Sequence, residues 1–327
     1  MDVRNKNIDV LKAFATLLVI AGHVIQTTTS NFDDDILFKV IYSFHMPLFM
    51  CISGYLYKEP KGISSDLMKK AKLLLVPFFS WAIINYFMFN TDGVHLSSFY
   101  SYMRALLINP SLGLWFLWVL FFTICIFMVL PEKNKALYII IFIIIADRLQ
   151  HKFTLLSEFG MGLLTWQFFF FFMGYCFKQY SILSKIKNRY VNILSLIVYL
   201  ALVTQWHRLN VETIFGLTIE NSILNNRLLF MIRYATAISA IVFLFGLDYN
   251  WAYKKLKYAI DYLSNNSLAF YAVQGTLIYL AVKLISGFIE NHTVLNLVCF
   301  SVATLLAYVL IKIINFNKSA RVVLFGR

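Results

Sequence analysis

Ten apolar runs, each near the length needed to cross ~30 Å of hydrocarbon, constrain this chain more than any motif. They cover residues 8–28, 38–57, 72–90, 112–130, 136–148, 162–178, 190–207, 228–247, 266–287 and 292–314; the fifth is short when cut at its charges. Only helices and closed barrels satisfy every backbone N–H and C=O in lipid, and runs of this length read as helices. An ordinary soluble domain carries about 25% charged residues, whereas this one has 14%, with 60% hydrophobic. The expected fold is therefore all-α, a polytopic integral membrane protein of about ten transmembrane helices. No repeat or linker divides it, so residues 1–327 form one integral domain. Between spans three and four, "TDGVHLSSFYSYMRALLINPSLG" mixes polar and apolar residues and predicts an interfacial helix.

A net charge of +13 would suit a nucleic-acid binder, but the placement of the cations excludes that reading. Twenty Lys and Arg fall in the terminal segments and alternate connections, against six (Lys39, Arg104, Arg148, Lys152, Arg208 and Arg227) on the other side. This is the positive-inside pattern, and it places both termini in the cytoplasm. The N-terminal run lacks a small-residue cleavage pattern and is read as a retained span. Cys51, Cys125, Cys176 and Cys299 sit in apolar runs without ligand or disulfide spacing, so no metal site is expected.

Several ionisable residues lie inside the runs. Such groups are costly in hydrocarbon and belong in a bundle interior or a water-filled cavity. In "DVLKAFATLLVIAGHVI", Lys12 and His23 are eleven residues apart, hence about 20° apart around a helix and roughly 16 Å along it. Lys12 near the cytoplasmic end reads as a cation facing an anionic ligand, against snorkelling or a local pair with Asp9. His23 reads as a functional base, against a hydrogen-bonded core histidine. In "YSFHMPLFMCISGYLYK", Pro47 permits a break, Gly54 a close backbone approach, and His45 and Ser53 add polar groups to a cavity. Arg233 and Lys283 are the other buried-depth cations. Arg233, about 9 Å inside Arg227, is placed to stabilise negative charge in that cavity unless Glu212 or Glu220 pairs with it.

"KAFATLLVIAGH", "FHMPLFMCISGYLY", "GLWFL" at Gly113–Leu117 and, more weakly, "SNNSLAFYAVQG" at Ser264–Gly275 resemble the membrane-bound acyltransferase-3 family, in particular its sugar O-acetylase branch similar to fucose 4-O-acetylase. The resemblance implies an enzyme of the bacterial cytoplasmic (inner) membrane that moves an acetyl group from cytoplasmic acetyl-CoA to a hydroxyl of a cell-surface or lipid-linked glycan. It puts Lys12 at the family's first-span basic position and His23 at its essential histidine. His45, Ser53 and Trp115 occupy other recurring positions, with Lys12, Ser53 and Trp115 on the donor side. Where relatives often carry a penultimate-span histidine, this chain has Gln274, which cannot take a proton at neutral pH.

An imidazole with a pKa near ~6.5 can take the hydroxyl proton and return it to the departing thiolate, or carry the acetyl group itself. The phosphates of coenzyme A need cations, and Lys12, "LMKKAKLL" (Leu67–Leu74) and "YKKLK" (Tyr253–Lys257) supply a cytoplasmic ring. Trp115, Trp206, His207 and Arg208 are candidates to meet a sugar. The implied partners are acetyl-CoA, the glycan acceptor, membrane lipids and polysaccharide-biosynthesis proteins, with no nucleic acid and no metal. A transporter or flippase for a lipid-linked sugar, and a non-catalytic partner of a polysaccharide synthase, are the competing classes.

Overall fold

A computed structural model describes residues 5–89, 96–152 and 158–327, with 147 and 149–152 described for backbone only. Arg4, residues 91–95 of the polar connection and the Lys152 side chain lie outside it. Among the described residues the chain is all-α apart from one two-stranded hairpin. Each of the ten apolar runs falls on helix. Their ranges are α1 (Lys6–Thr28), α2 (Ile36–Tyr42) with α3 (His45–Tyr55), α4 (Ile63–Phe89), α6 (Trp115–Val129), α7 (Lys135–Lys152), α8 (Met161–Gln179), α10 (Arg189–Val203), α11 (Ser222–Gly246), α13 (Ser267–Ile285) and α14 (His292–Phe316). Among the described residues, six stretches are long and apolar enough to cross a membrane unaided, namely Lys6–Thr28, Ile36–Tyr55, Ile63–Phe89, Ser222–Gly246, Ser267–Ile285 and His292–Phe316. The protein is a polytopic membrane protein.

The remaining helices lie between or beyond the spans: α5 (Leu96–Ile108), the short α9 (Leu183–Ile186), α12 (Asn250–Asn265) and α15 (Lys318–Phe325). The polar connection between spans three and four carries the helix α5. The basic segment "YKKLK", read from the sequence as a connection, lies in α12, which buries Tyr253 and Ile260 and exposes Lys254, Lys255, Lys257 and Tyr258. That spacing is amphipathic, and the polar face masked it in a search for apolar runs. Asparagine starts many of these helices. Asn5, Asn188, Asn221, Asn291 and Asn317 each accept backbone N–H bonds of the first turn, satisfying donors that no intrahelical carbonyl reaches.

Two packing details set the site. The second predicted span is two helices, because Pro47 cannot donate to the carbonyl four residues back and its ring crowds that turn. The chain leaves helical geometry at Phe44 (φ −143°, ψ −14°) and restarts at His45. Then α3 packs against α8 with almost no separation. A Cβ on Gly54 would lie 1.8 Å from the carbonyl oxygen of Phe171, and one on Gly174 would lie 1.8 Å from that of Cys51. Any side chain at either position forces the helices apart, as at other small-residue crossings in membranes. The core follows from this contact: Phe168, Phe170 and Phe171 of α8 are fully buried with Leu48 and Met50 of α3. A second cluster joins α1, α13 and α14 through Ile20, Val24, Ala272, Ala281, Ala303 and Ala307.

Candidate functional site

Two cavities flank the centre of the bundle, and α1 runs past both. The upper one, about 450 Å³, is lined by His23, His45, Arg233 and Trp115 together with Tyr42, Trp166, Gln167, Trp206, Arg208 and Tyr271. The lower one, about 290 Å³, is lined by Lys12 and Ser53 with Lys70, Asn265, Ser267 and Arg327. The six residues selected from sequence are thus divided four to two. Lys12 and His23 lie on one continuous helix, so the stripe they share faces different chambers at different depths.

His23 is held from one side. Its Nδ1 lies 3.3 Å from Oε1 of Gln26 and 3.2 Å from Oη of Tyr42, whose hydroxyl donates to the same Oε1 at 2.7 Å. The amide oxygen only accepts, and the tyrosine proton is already given to it, so the network assigns the proton on His23 to Nδ1. Nε2 is left with its lone pair as an acceptor. Gly22 makes this arrangement possible: a Cβ there would stand 2.7 Å from the Tyr42 ring. His45, almost fully buried, donates from Nδ1 to the Ile41 carbonyl at 2.9 Å across the helix break, and its Nε2 is likewise an acceptor.

Gln167 was not singled out from sequence. It lies on α8 beside the phenylalanine run, is 3% exposed, lines the upper cavity, and its Oε1 has no hydrogen-bond partner among the described residues. A buried acceptor left unmade costs about 1–3 kcal/mol. A lone glutamine in "TWQFFFFF" was the available signal. Gln274 is also buried with an unpartnered Oε1, but it does not line the cavity; Tyr271 of the same helix does. Lys283 is exposed at the end of α13, over the Tyr279 ring.

Arg233 forms the roof. Its Nε donates to the His207 carbonyl at 2.7 Å, and Nη2 donates to those of Arg208 and Leu209 at 2.9 and 3.1 Å. Among the described residues these carbonyls, and neither Glu212 nor Glu220, are its hydrogen-bond partners. Arg208 in turn makes a two-pronged pair with Asp33, both bonds 3.0 Å, and lies over Phe32. Trp206 and Arg208 therefore face the cavity, while His207 contributes its backbone. Burial, helped by the nearby Lys39 and Arg233 and opposed by Asp34 and Asp33, lowers the His207 pKa. Beyond the strap, β1 (Thr213–Ile214) and β2 (Leu217–Thr218) form a hairpin whose turn, Phe215–Gly216, has positive φ at both residues, the signature of a tight primed turn.

In the lower cavity, Lys12, Lys70 and Arg327 supply three cations, and Ser53 donates to the Phe49 carbonyl at 2.8 Å. Asp9 does not act alone beside Lys12, because Ser264 donates to its Oδ1 at 2.7 Å. Of the two predicted basic segments, "LMKKAKLL" reaches the cavity through Lys70, whereas Lys254, Lys255 and Lys257 are exposed on α12 and do not line it. Among the described residues no cluster of His, Cys, Asp or Glu could hold a metal, and all four cysteines are free.

Comparison with known proteins decides the family. The acyltransferase domain model of the acyltransferase-3 family matches residues 5–313. The chain belongs to the acyltransferase-3 family. Its similar curated proteins are the nodulation protein NolL of Mesorhizobium japonicum, 29% identical over 183 residues (54% of this chain, 48% of that protein), and the nodulation protein NolL of Sinorhizobium fredii, 33% identical over 128 residues (35% and 33%). The aligned parts span about half or less of those relatives. No solved structure matches the chain. For this acyltransferase-3 protein, the helices that carry the first two quoted patterns, α1 and α3, line both cavities.

Proposed function

We propose that this protein is a membrane O-acetyltransferase that moves an acetyl group from cytoplasmic acetyl-CoA, through the lower cavity, to a glycan hydroxyl held in the upper one. The single observation that carries the reading is the arrangement at His23. A histidine with Nδ1 engaged stands in a largely apolar, aromatic-walled cavity that also holds His45, Gln167 and Arg233, on the same helix as the cation-lined chamber, within a chain of the acyltransferase-3 family.

In this reading ten spans place both ends and the Lys12 face in the cytoplasm of a bacterial inner membrane, as the positive-charge bias implies. Asn5 bonds Tyr55, and Lys12 and Arg327 line the same chamber, which is consistent with both ends on one face. Lys12, Lys70 and Arg327 bind the donor phosphates, and Ser53 borders the path of the arm that carries the thioester. His23 Nε2 accepts the proton of the acceptor hydroxyl as its oxygen attacks the thioester carbonyl. The C–S bond breaks, and the imidazolium returns the proton to the coenzyme A thiolate. His45 contributes a second polar edge, Trp115 and Trp166 offer stacking faces, and Arg233 supports the roof and the charge balance of the cavity. Within the family, the proposed assignment is the sugar O-acetylase branch similar to fucose 4-O-acetylase, which rests on the resemblance of the quoted sequence patterns.

Family membership favours the enzyme over a flippase, and the two separate experimentally. Purified protein is incubated with radiolabelled acetyl-CoA and candidate glycans, and cell-surface glycans from strains with and without the gene are compared by mass spectrometry. Acetylation that disappears with His23→Ala supports the assignment. Vectorial movement of glycan without covalent change, or modification that survives His23→Ala, overturns it.

A further inference from the structure

We propose that an apolar groove between α6, α7 and α8 seats the hydrocarbon chain of a lipid-linked glycan, so that the acceptor enters the upper cavity sideways from the bilayer. This rests on the reading of that cavity as the acyl-accepting site. The groove, about 390 Å³, is lined by Trp118, Phe122, Ile126, Phe142, Met161 and Leu164 among others, with hardly a polar atom. It adjoins a chamber of about 520 Å³ that carries Asn109, Ser111 and Glu158. Gly160 lines both. The polar chamber in turn shares Ser111, Gly162 and Leu163 with the His23 cavity. One path therefore runs from apolar wall, through sugar-compatible hydroxyl, amide and carboxylate groups, to the candidate base.

The junction is built. Phe159 and Gly160 both have positive φ (57° and 77°), which turns the chain sharply into α8. The Phe159 N–H donates to the Ile108 carbonyl at 2.6 Å, and its own carbonyl accepts from Trp118 Nε1 at 3.1 Å. At Gly160 a Cβ would meet Pro110 at 3.3 Å as well as the unfavourable φ, so the opening depends on glycine. Depth also matches: Trp118 to Ile126 is eight residues, about 12 Å of helix, close to one leaflet of a ~30 Å hydrocarbon core. From above, the cavity is crossed by the loop that Arg233 and the Arg208–Asp33 pair strap down. A side entrance serves an amphipathic substrate, whose chain stays in lipid while its sugar leaves it.

The test uses the full chain in phosphatidylethanolamine/phosphatidylglycerol nanodiscs. Two photoprobes carry the same mid-chain diazirine, one an alkyl glycoside and the other a phosphatidylethanolamine. The glycoside is expected to label peptides covering 118–126 and 159–164 about tenfold more than lipid-facing α10, and excess unlabelled glycoside should compete. Met161→Trp and Ile126→Trp, at the two ends of the groove, should each suppress that labelling. They should also lower kcat/KM for a lipid-linked glycan relative to the same glycan without lipid. Even labelling of all lipid-facing helices, or equal labelling of the groove by phosphatidylethanolamine, overturns the proposal and makes the groove a seat for bulk lipid. Because labelling does not require acyl transfer, specific labelling in a protein that acetylates nothing would uphold the groove while removing the enzymatic reading. Transfer to lipid-linked glycan that both groove variants leave intact would do the reverse.

Discussion

The backbone N–H of Phe116 donates to the hydroxyl of Tyr271 at 3.2 Å, and their rings lie 5.6 Å apart. Phe116 lines the lower cavity and Tyr271 the upper, with Phe49 packed on the lower side at 5.8 Å from Phe116. These rings are the wall between the chamber of Lys12 and that of His23. In the proposed reaction, a donor held by the lower cations reaches the acceptor only if this wall admits its arm.

Replacing Phe116 should therefore change coupling. Phe116→Ala joins the chambers and lets water follow the thioester, so coenzyme A release without acceptor should rise. Phe116→Trp should block passage while donor binding persists. Thiol release measured with and without glycan checks both. A core Phe→Ala change costs about 3–5 kcal/mol, so folded fractions are measured alongside.

Lys12 and His23 should separate kinetically. Lys12→Ala is expected to raise the KM for acetyl-CoA, with partial rescue by arginine. His23→Ala should keep donor binding and lose ~10²–10⁴-fold in kcat even at saturating donor. Near-normal turnover in the His23 variant would make it a core histidine and leave His45 as the next candidate.

In the proposed reaction Tyr42 acts through His23. Tyr42→Phe removes the hydroxyl that holds Gln26 and borders Nδ1, freeing the imidazole to rotate. We expect kcat to fall by up to about 10²-fold with the KM for acetyl-CoA unchanged. A shift in that KM alone would argue against an orienting role.

Gln167→Leu gives opposite signs in two measurements. It removes a buried, unpartnered oxygen at similar volume, so thermal stability should hold or rise by part of the ~1–3 kcal/mol penalty. The KM for the glycan should rise about tenfold, the equivalent of ~1.4 kcal/mol, while that for the donor stays. Lower stability with unchanged glycan KM would return Gln167 to a packing role.

Arg233→Gln should loosen the roof, seen as faster hydrogen exchange over 204–219. The same segment should respond to acid. The His207 pKa is lowered in the folded protein, so its contribution is fully present above the unfolded value near 6.5 and is lost as pH falls below it toward the folded value. His207→Asn should flatten that dependence. Equal exchange at pH 7.5 and 5.5 in the parent protein would count against it.

Much of this was legible along the chain. Apolar length settled the helices, because a segment that satisfies its own backbone hydrogen bonds needs no distant partner to be helical. Pro47 announced the break before His45, Gly54 the close approach to another helix, and the eleven-residue interval from Lys12 to His23 their alignment on one stripe. Those are local covalent and periodic properties. What each residue faces is not local. That Lys12 and His23 open into different chambers, that Phe116 and Tyr271 divide them, that Gln167 lines the same cavity as the histidines, and that Arg233 spends its donors on carbonyls 24 to 26 residues away follow from how α3 seats against α8 and how the 204–212 loop folds over α11. Such contacts depend on the summed packing of distant side chains, which no periodicity within one helix encodes.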